Sequence, residues 1–170
     1  TTFIMGNVSI ATDDKQENIV QVHFSYVTAT TSKGNVNATF GVLKDIVEGK
    51  LGTVMDKGVD AAAKVRIDSA IGLNDFYVDR NGKEELVSAK RNEGGFVHKV
   101  DALDEDEKVR NTFKVDMLIN NVTRIDADEE KNLPEKVIVK GAIFDFRKSL
   151  LPVEFSATNP NAMNYFEGLG

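Results

Sequence analysis

The chain contains no cysteine, which removes disulfide staples and thiolate metal sites and fits an intracellular, cytoplasmic protein. Histidine is scarce: only His23 and His98 are present, each within a strand-like run and without a second ligand nearby. Neither therefore reads as a proton shuttle or a metal site. No apolar run approaches the roughly 18 residues of a membrane-spanning helix, and no signal peptide is visible. Walker A, G-x-G-x-x-G, G-x-S-x-G and H-E-x-x-H patterns are all missing. The sequence thus carries no mark of an enzyme, and neither a metal nor a cofactor is expected.

What is present is an ordinary globular composition with an unusual distribution of charge. The 170 residues are 41% hydrophobic and 28% charged, enough for one large domain or two small ones. A net charge of −6 argues against indiscriminate duplex binding through bulk positive charge. The acids, however, crowd into two stretches, Asp101–Glu107 and Asp126–Glu130, between strand-like runs. Lys64, Arg66, Lys90, Arg91, Lys99, Lys136, Lys140, Arg147 and Lys148 fall on or beside strands instead. A surface segregated in this way can hold a polyanion despite its overall sign.

Periodicity indicates a mainly β protein. Phe3–Ile10 and Ile19–Thr30 read as strands, with Val20, Val22, Phe24 and Tyr26 alternating against polar residues. Phe40, Leu43, Ile46, Val47 and Leu51 recur at helical spacing, with Thr39 as the expected N-cap. Lys64–Val100 reads as three strands joined by two turns, the first at Asn81-Gly82 and the second at Gly94-Gly95, a pair equally suited to a bulge. Phe113–Ile119, Lys136–Phe146 and Leu150–Thr158 complete the strands, and Phe24, Phe113, Phe144 and Phe155 alternate as core residues should. Asn159-Pro160 announces a closing helix with Met163, Phe166 and Leu169 on its apolar face. Many short strands without a βαβ rhythm predict an antiparallel OB-like barrel with short helices, one elaborated or two fused. We expect a single domain over 1–170 with a sub-boundary near 101–111.

The chemistry concentrates in Lys64–Val100, where cations and aromatics interleave. Alternation puts Lys64 and Arg66 on one face of their strand and Val65, Ile67 and Ile71 on the other. Phe76 and Tyr77 place one ring on each face. Lys90, Arg91, Phe96, His98 and Lys99 flank the glycine pair and are expected to converge on one rim. A surface of flat rings and cations suits single-stranded nucleic acid, whose bases stack and whose phosphates seek positive charge. Lys64, Arg66, Lys90, Arg91 and Lys99 would neutralise phosphates, and Tyr77, Phe96, His98 and Tyr26 would stack on bases. Two rivals stand beside this reading. One is a structural or protein-interaction β-domain that forms oligomers. The other is a metal-dependent hydrolase using the carboxylates of Asp126–Lys131. An EF-hand loop from Asp126 fails, because Lys131 occupies its sixth position and Val137 its twelfth.

A family resemblance adds to this. The phrases Ala62–Asp68, Leu73–Tyr77, Lys90–His98, Arg110–Phe113, Asp116–Ile119, Leu133–Phe144 and Leu151–Phe155 resemble a group of bacteriophage single-stranded DNA-binding proteins. The resemblance runs from about residue 36 onward. It implies an OB-type fold and a role coating single strands in phage replication or recombination, in the host cytoplasm. Such proteins commonly end in an acidic tail that recruits replication and recombination partners. This chain stops at Gly170 without one, which reads as a trimmed core.

Overall fold

The computed structural model describes residues 2–145 and 148–169. The molecule is mainly β, 51% strand and 15% helix. It divides into two compact units, Thr1–Thr112 and Phe113–Gly170. No helix among the described residues is long and apolar enough to cross a membrane.

In the first unit, β1 (Phe3–Ala11), β2 (Ile19–Thr28), β3 (Lys64–Arg80) and β4 (Lys83–Val100) form one sheet in the order β1-β2-β4-β3. The outer pairs are antiparallel, whereas β2 and β4 run parallel through Val22↔Asn92 and His23↔Glu93. The expected all-antiparallel sheet is therefore mixed. Its order leaves β1 and β3 as edges, so the four strands do not close into a barrel. One side of the sheet is the core: Val22, Phe24 and Val97 are buried with Leu43 of α1 (Ala38–Val47). Val8, Ile10, Val65 and Ile67 pack around them, as period-2 alternation requires. A Phe side chain buried to this extent stabilises the fold by roughly 1.5–3 kcal/mol.

Two local features depart from the sequence reading. Lys64–Val100 is one hairpin of two long strands, turned at Asn81-Gly82 with φ of 58° and 77°. Positive φ at both central residues is what a two-residue hairpin turn demands. Gly94-Gly95 is a bulge, where two residues of β4 oppose Ser69 alone between the pairs Asp68↔Phe96 and Ala70↔Glu93. Gly95 has φ of +98°, and a Cβ there would overlap the Asp68 carbonyl, so only glycine fits. Beyond Asp75 and Ser88 the hairpin continues as a ribbon whose strands pair only with each other.

Helix α1 begins two residues earlier than expected, with Asn37 at the N-cap. Thr39 instead lies inside the first turn, buried, and its hydroxyl accepts from Val97 N at 3.2 Å. Asn37 Nδ2 donates to the Thr28 carbonyl at 3.0 Å. These two side chains supply hydrogen bonds in the wedge where β2 and β4 part after only two paired residues. α2 (Val54–Lys57) is a single turn capped by Thr53 and Asp56. The acidic stretch after β4 wraps Arg110, which donates to Asp14 and to the Asp104 carbonyl, both at 2.6 Å.

The second unit is a three-stranded antiparallel sheet, β5 (Met117–Ile125), β6 (Lys136–Phe144) and β7 (Leu150–Ala157), with α3 (Pro160–Glu167) on one face. Val137 and Val139 of the central strand are fully buried beside Met163 and Ala157. Asn159 caps α3 by accepting from Asn161 N, ahead of the proline at the first helical position. Two aromatics assigned to the core are not there. Phe113 is 66% exposed, because β5 starts only at Met117 and leaves Phe113 without a ladder, resting edge-on against Phe155. Phe144 is exposed on the sheet face opposite the buried Ile143. Leu169 falls beyond the end of α3 and is exposed. The expected extension of β6 to Phe146 and the cation Arg147 lie outside the described residues.

Candidate nucleic-acid interface

The side of the four-stranded sheet opposite α1 is open, and its strands determine which side chains it carries. On β1, Phe3, Met5 and Asn7 alternate against the core residues Ile4 and Val8. On β2, a second register shift sets Met5 against Ser25 and Tyr26 together, between the pairs Gly6↔Phe24 and Ile4↔Val27. That bulge leaves Phe24 and Val27 in the core and turns Tyr26 over onto the ring of Phe3, with centroids 4.7 Å apart. Tyr26 is 61% exposed. On β4, Phe96 is 65% exposed and lies roughly parallel to His98, with centroids 6.4 Å apart. Each outer ring is thus braced by a neighbour.

Between them lies a notch. β2 and β4 part after His23 and Glu93, and the opening beyond is lined by Phe24–Thr28, Thr31, Asn37, Thr39 and Gly94–Phe96. Its volume is about 270 Å³. Tyr26 and Phe96 both line it, and hydroxyl, amide and bare glycine backbone groups line much of the rest.

The same face carries Lys64, Arg66 and Arg91, against the carboxylates of Asp68 and Glu93. Both arginines are engaged: Arg66 donates to Asp68 from two nitrogens, at 2.9 and 3.1 Å, and Arg91 pairs with Glu93. Lys64 makes no ion pair among the described residues. His23 also lies here, its Nδ1 2.9 Å from Asn7 Oδ1. Positive charge thus exceeds negative by one on this face, in a molecule of net −6.

The expected constellation is only partly assembled. Lys64, Arg66, Arg91, Phe96, His98 and Tyr26 share the open side. Lys90 and Lys99 do not: they oppose Leu73 and Val65 and lie on the side that α1 covers, exposed at its margin. For Lys90 the cause is the Gly94-Gly95 bulge, which inverts the alternation of β4 and separates Lys90 from Phe96 despite their matching parity, whereas Lys99 follows the bulge and simply alternates against His98. Tyr77 stands on the ribbon, opposite Leu86 and away from the notch. The sequence reading did not single out Phe3, although its alternation against Ile4 and Val8 is a usable signal. Asn37 and the role of Thr39 depend on contacts between distant segments and leave no such trace.

The carboxylate runs are occupied locally. Asp128 accepts from Lys131 Nζ at 2.7 Å and from Lys131 N at 3.2 Å, and the Lys131 side chain, then the backbone N–H, holds its carboxyl below the usual aspartate range. Arg124 ties Glu135 to Glu167 at 2.6 and 2.9 Å, and these hydrogen bonds raise its guanidinium further above its ordinary value. Among the described residues no three His, Cys, Asp or Glu are grouped to hold a metal ion.

Fold and surface together define a mainly β protein of two sheet-bearing units, the first presenting an aromatic-bearing open face. The model of the YorF family matches residues 1–169, and the chain belongs to that family. No curated protein and no solved structure matches it.

Proposed function

We propose that the chain binds single-stranded DNA with little sequence preference, without catalysis, across the open face of the four-stranded sheet. The observation that carries this reading is the pair of exposed rings, Tyr26 on Phe3 and Phe96 beside His98, that both line one notch. Stacking on two such platforms would supply roughly 1–3 kcal/mol per base without reading sequence. Lys64, Arg66 and Arg91 would contact phosphates from the same side. An OB-like barrel is a common frame for such a surface, and the open sheet offers a comparable strand-borne face. The resemblance to phage single-stranded DNA-binding proteins supports a role in phage replication or recombination in the host cytoplasm.

The electrostatic part is modest, because phosphates must compete with Asp68 and Glu93 for the two arginines. Three phosphate contacts on a single strand give a log–log salt slope of about −2, so a fourfold rise in salt weakens binding about 20-fold. Fluorescence anisotropy with labelled oligo-dT and a matched duplex, at low and fourfold higher salt, tests this. Preference for the single strand with that shallow slope supports the reading. No binding at the lower salt refutes it.

A second reading is favoured by the ribbon, which exposes Phe76, Tyr77 and Leu86 away from the notch. Apolar side chains on a two-stranded arm suit a protein partner or a second copy of the chain. That reading gives defined oligomers in sedimentation and no oligonucleotide affinity.

A further inference from the structure

We infer that the notch between β2 and β4 is a pocket for one unstacked nucleobase, so that a bound strand inserts a base between Tyr26 and Phe96 beyond merely lying on them. This rests on the single-strand reading above and deepens it. Three features point to a base. The notch exists because the β2/β4 ladder stops after two residue pairs and the Gly94-Gly95 bulge carries β4 away from β2. Its volume of about 270 Å³ is ample for one flat heterocycle. Both exposed rings line it, each beside a neighbouring ring at 4.7 or 6.4 Å between centroids, so the two rings have partners before a ligand arrives.

The lining separates a base from an ordinary aromatic side chain. Ser25, Thr31 and Asn37 bring hydroxyl and amide groups to the notch, and the glycine pair presents backbone without side chains. Asn37 Nδ2 already donates to Thr28, which directs the amide and leaves its oxygen as an acceptor. A purely hydrocarbon ring would desolvate these groups without pairing them, at a cost in affinity. A base brings donors and acceptors along its edge and repays that desolvation. Lys64 and Arg66, on the same open face, are placed for the phosphates of the strand.

Two comparisons test this by anisotropy. The first sets oligo-dT against an abasic deoxyribose-phosphate chain of equal length, which keeps the charge and removes the bases. The second uses Gly94→Asn: at φ +56° asparagine is tolerated, and its Cβ meets nothing within 4 Å, so the variant fills space at the notch while sparing both rings and every cation. We expect the abasic chain to bind at least about 5- to 150-fold more weakly, the value of the one inserted base, and Gly94→Asn to lose about that factor for oligo-dT with little change for the abasic chain. Oligo-dT binding that is indifferent to Gly94→Asn overturns the pocket while leaving the open-face reading standing. Equal affinity for the abasic chain and oligo-dT overturns both the pocket and the stacking. Should neither polymer bind while N-acetyl-tyrosinamide perturbs the Gly94 and Gly95 amides in NMR spectra, the notch takes a protein side chain and both proposals fall.

Discussion

Replacing Gly95 by alanine probes the device on which the open face depends. The backbone there has φ of +98°, and an added Cβ would overlap the Asp68 carbonyl, with Ser69 Cα also inside normal contact. Left-handed strain costs an L-residue roughly 1–2 kcal/mol. Moving a backbone oxygen that is held in the β3/β4 ladder adds roughly 1–3 kcal/mol. The smaller conformational freedom of alanine in the unfolded chain returns about 1 kcal/mol, leaving a net loss of about 1–4 kcal/mol. Gly94→Ala is the internal control: its φ is +56° and its Cβ meets nothing, so its cost is about 1 kcal/mol or less. Urea denaturation followed by far-ultraviolet circular dichroism measures both, and amide exchange at Val97, whose N–H donates to Thr39, localises the damage. Equal stability of the two variants would refute the account of the bulge.

Phe24→Ala empties the centre of the first core, where the ring is 2% exposed, and should cost about 3–5 kcal/mol in denaturant titrations. Phe113→Ala should cost about 1 kcal/mol, since that ring keeps only an edge contact with Phe155. Asp68→Asn combined with Glu93→Gln frees two guanidinium groups from one exposed and one half-buried pair, each worth roughly 0.2–1 kcal/mol; oligo-dT affinity should rise about 2- to 30-fold by anisotropy. Asp128 has a carboxyl held below its ordinary value by Lys131. Its contribution is therefore fully present above the ordinary aspartate range and disappears as pH falls through the lowered folded value. An NMR titration of the Asp128 carboxyl carbon should show a midpoint below that of an unstructured aspartate, and a midpoint at or above it would contradict the assignment.

Elements whose signal is local were legible in the sequence. Asn81-Gly82 turns a hairpin because both residues accept positive φ, and Asn159-Pro160 starts α3 because capping chemistry is local. β6 stood out because Val137, Val139 and Ile143 all face one core. Gly94-Gly95 was ambiguous for a physical reason: positive φ serves a turn and a bulge alike, and only the partner strand decides. The parallel β2/β4 contact depends on residues some 70 positions apart and has no local signature. Phe113 misled because alternation from Phe113 to Ile119 continues a pattern that finds a partner strand only from Met117. The candidate site suffered most from bulges. Tyr26 was brought out of the core by one, and Lys90 was parted from Phe96 by the other.

The measurement that bears most directly on function is an amide chemical-shift map of the isotope-labelled chain titrated with oligo-dT at low salt. The account predicts saturable shifts at Asn7, His23, Tyr26, Arg66 and Gly94–His98, with the ribbon around Tyr77 and the second unit unmoved. Shifts confined to the ribbon or to Phe113–Gly170, or none at all, would contradict it.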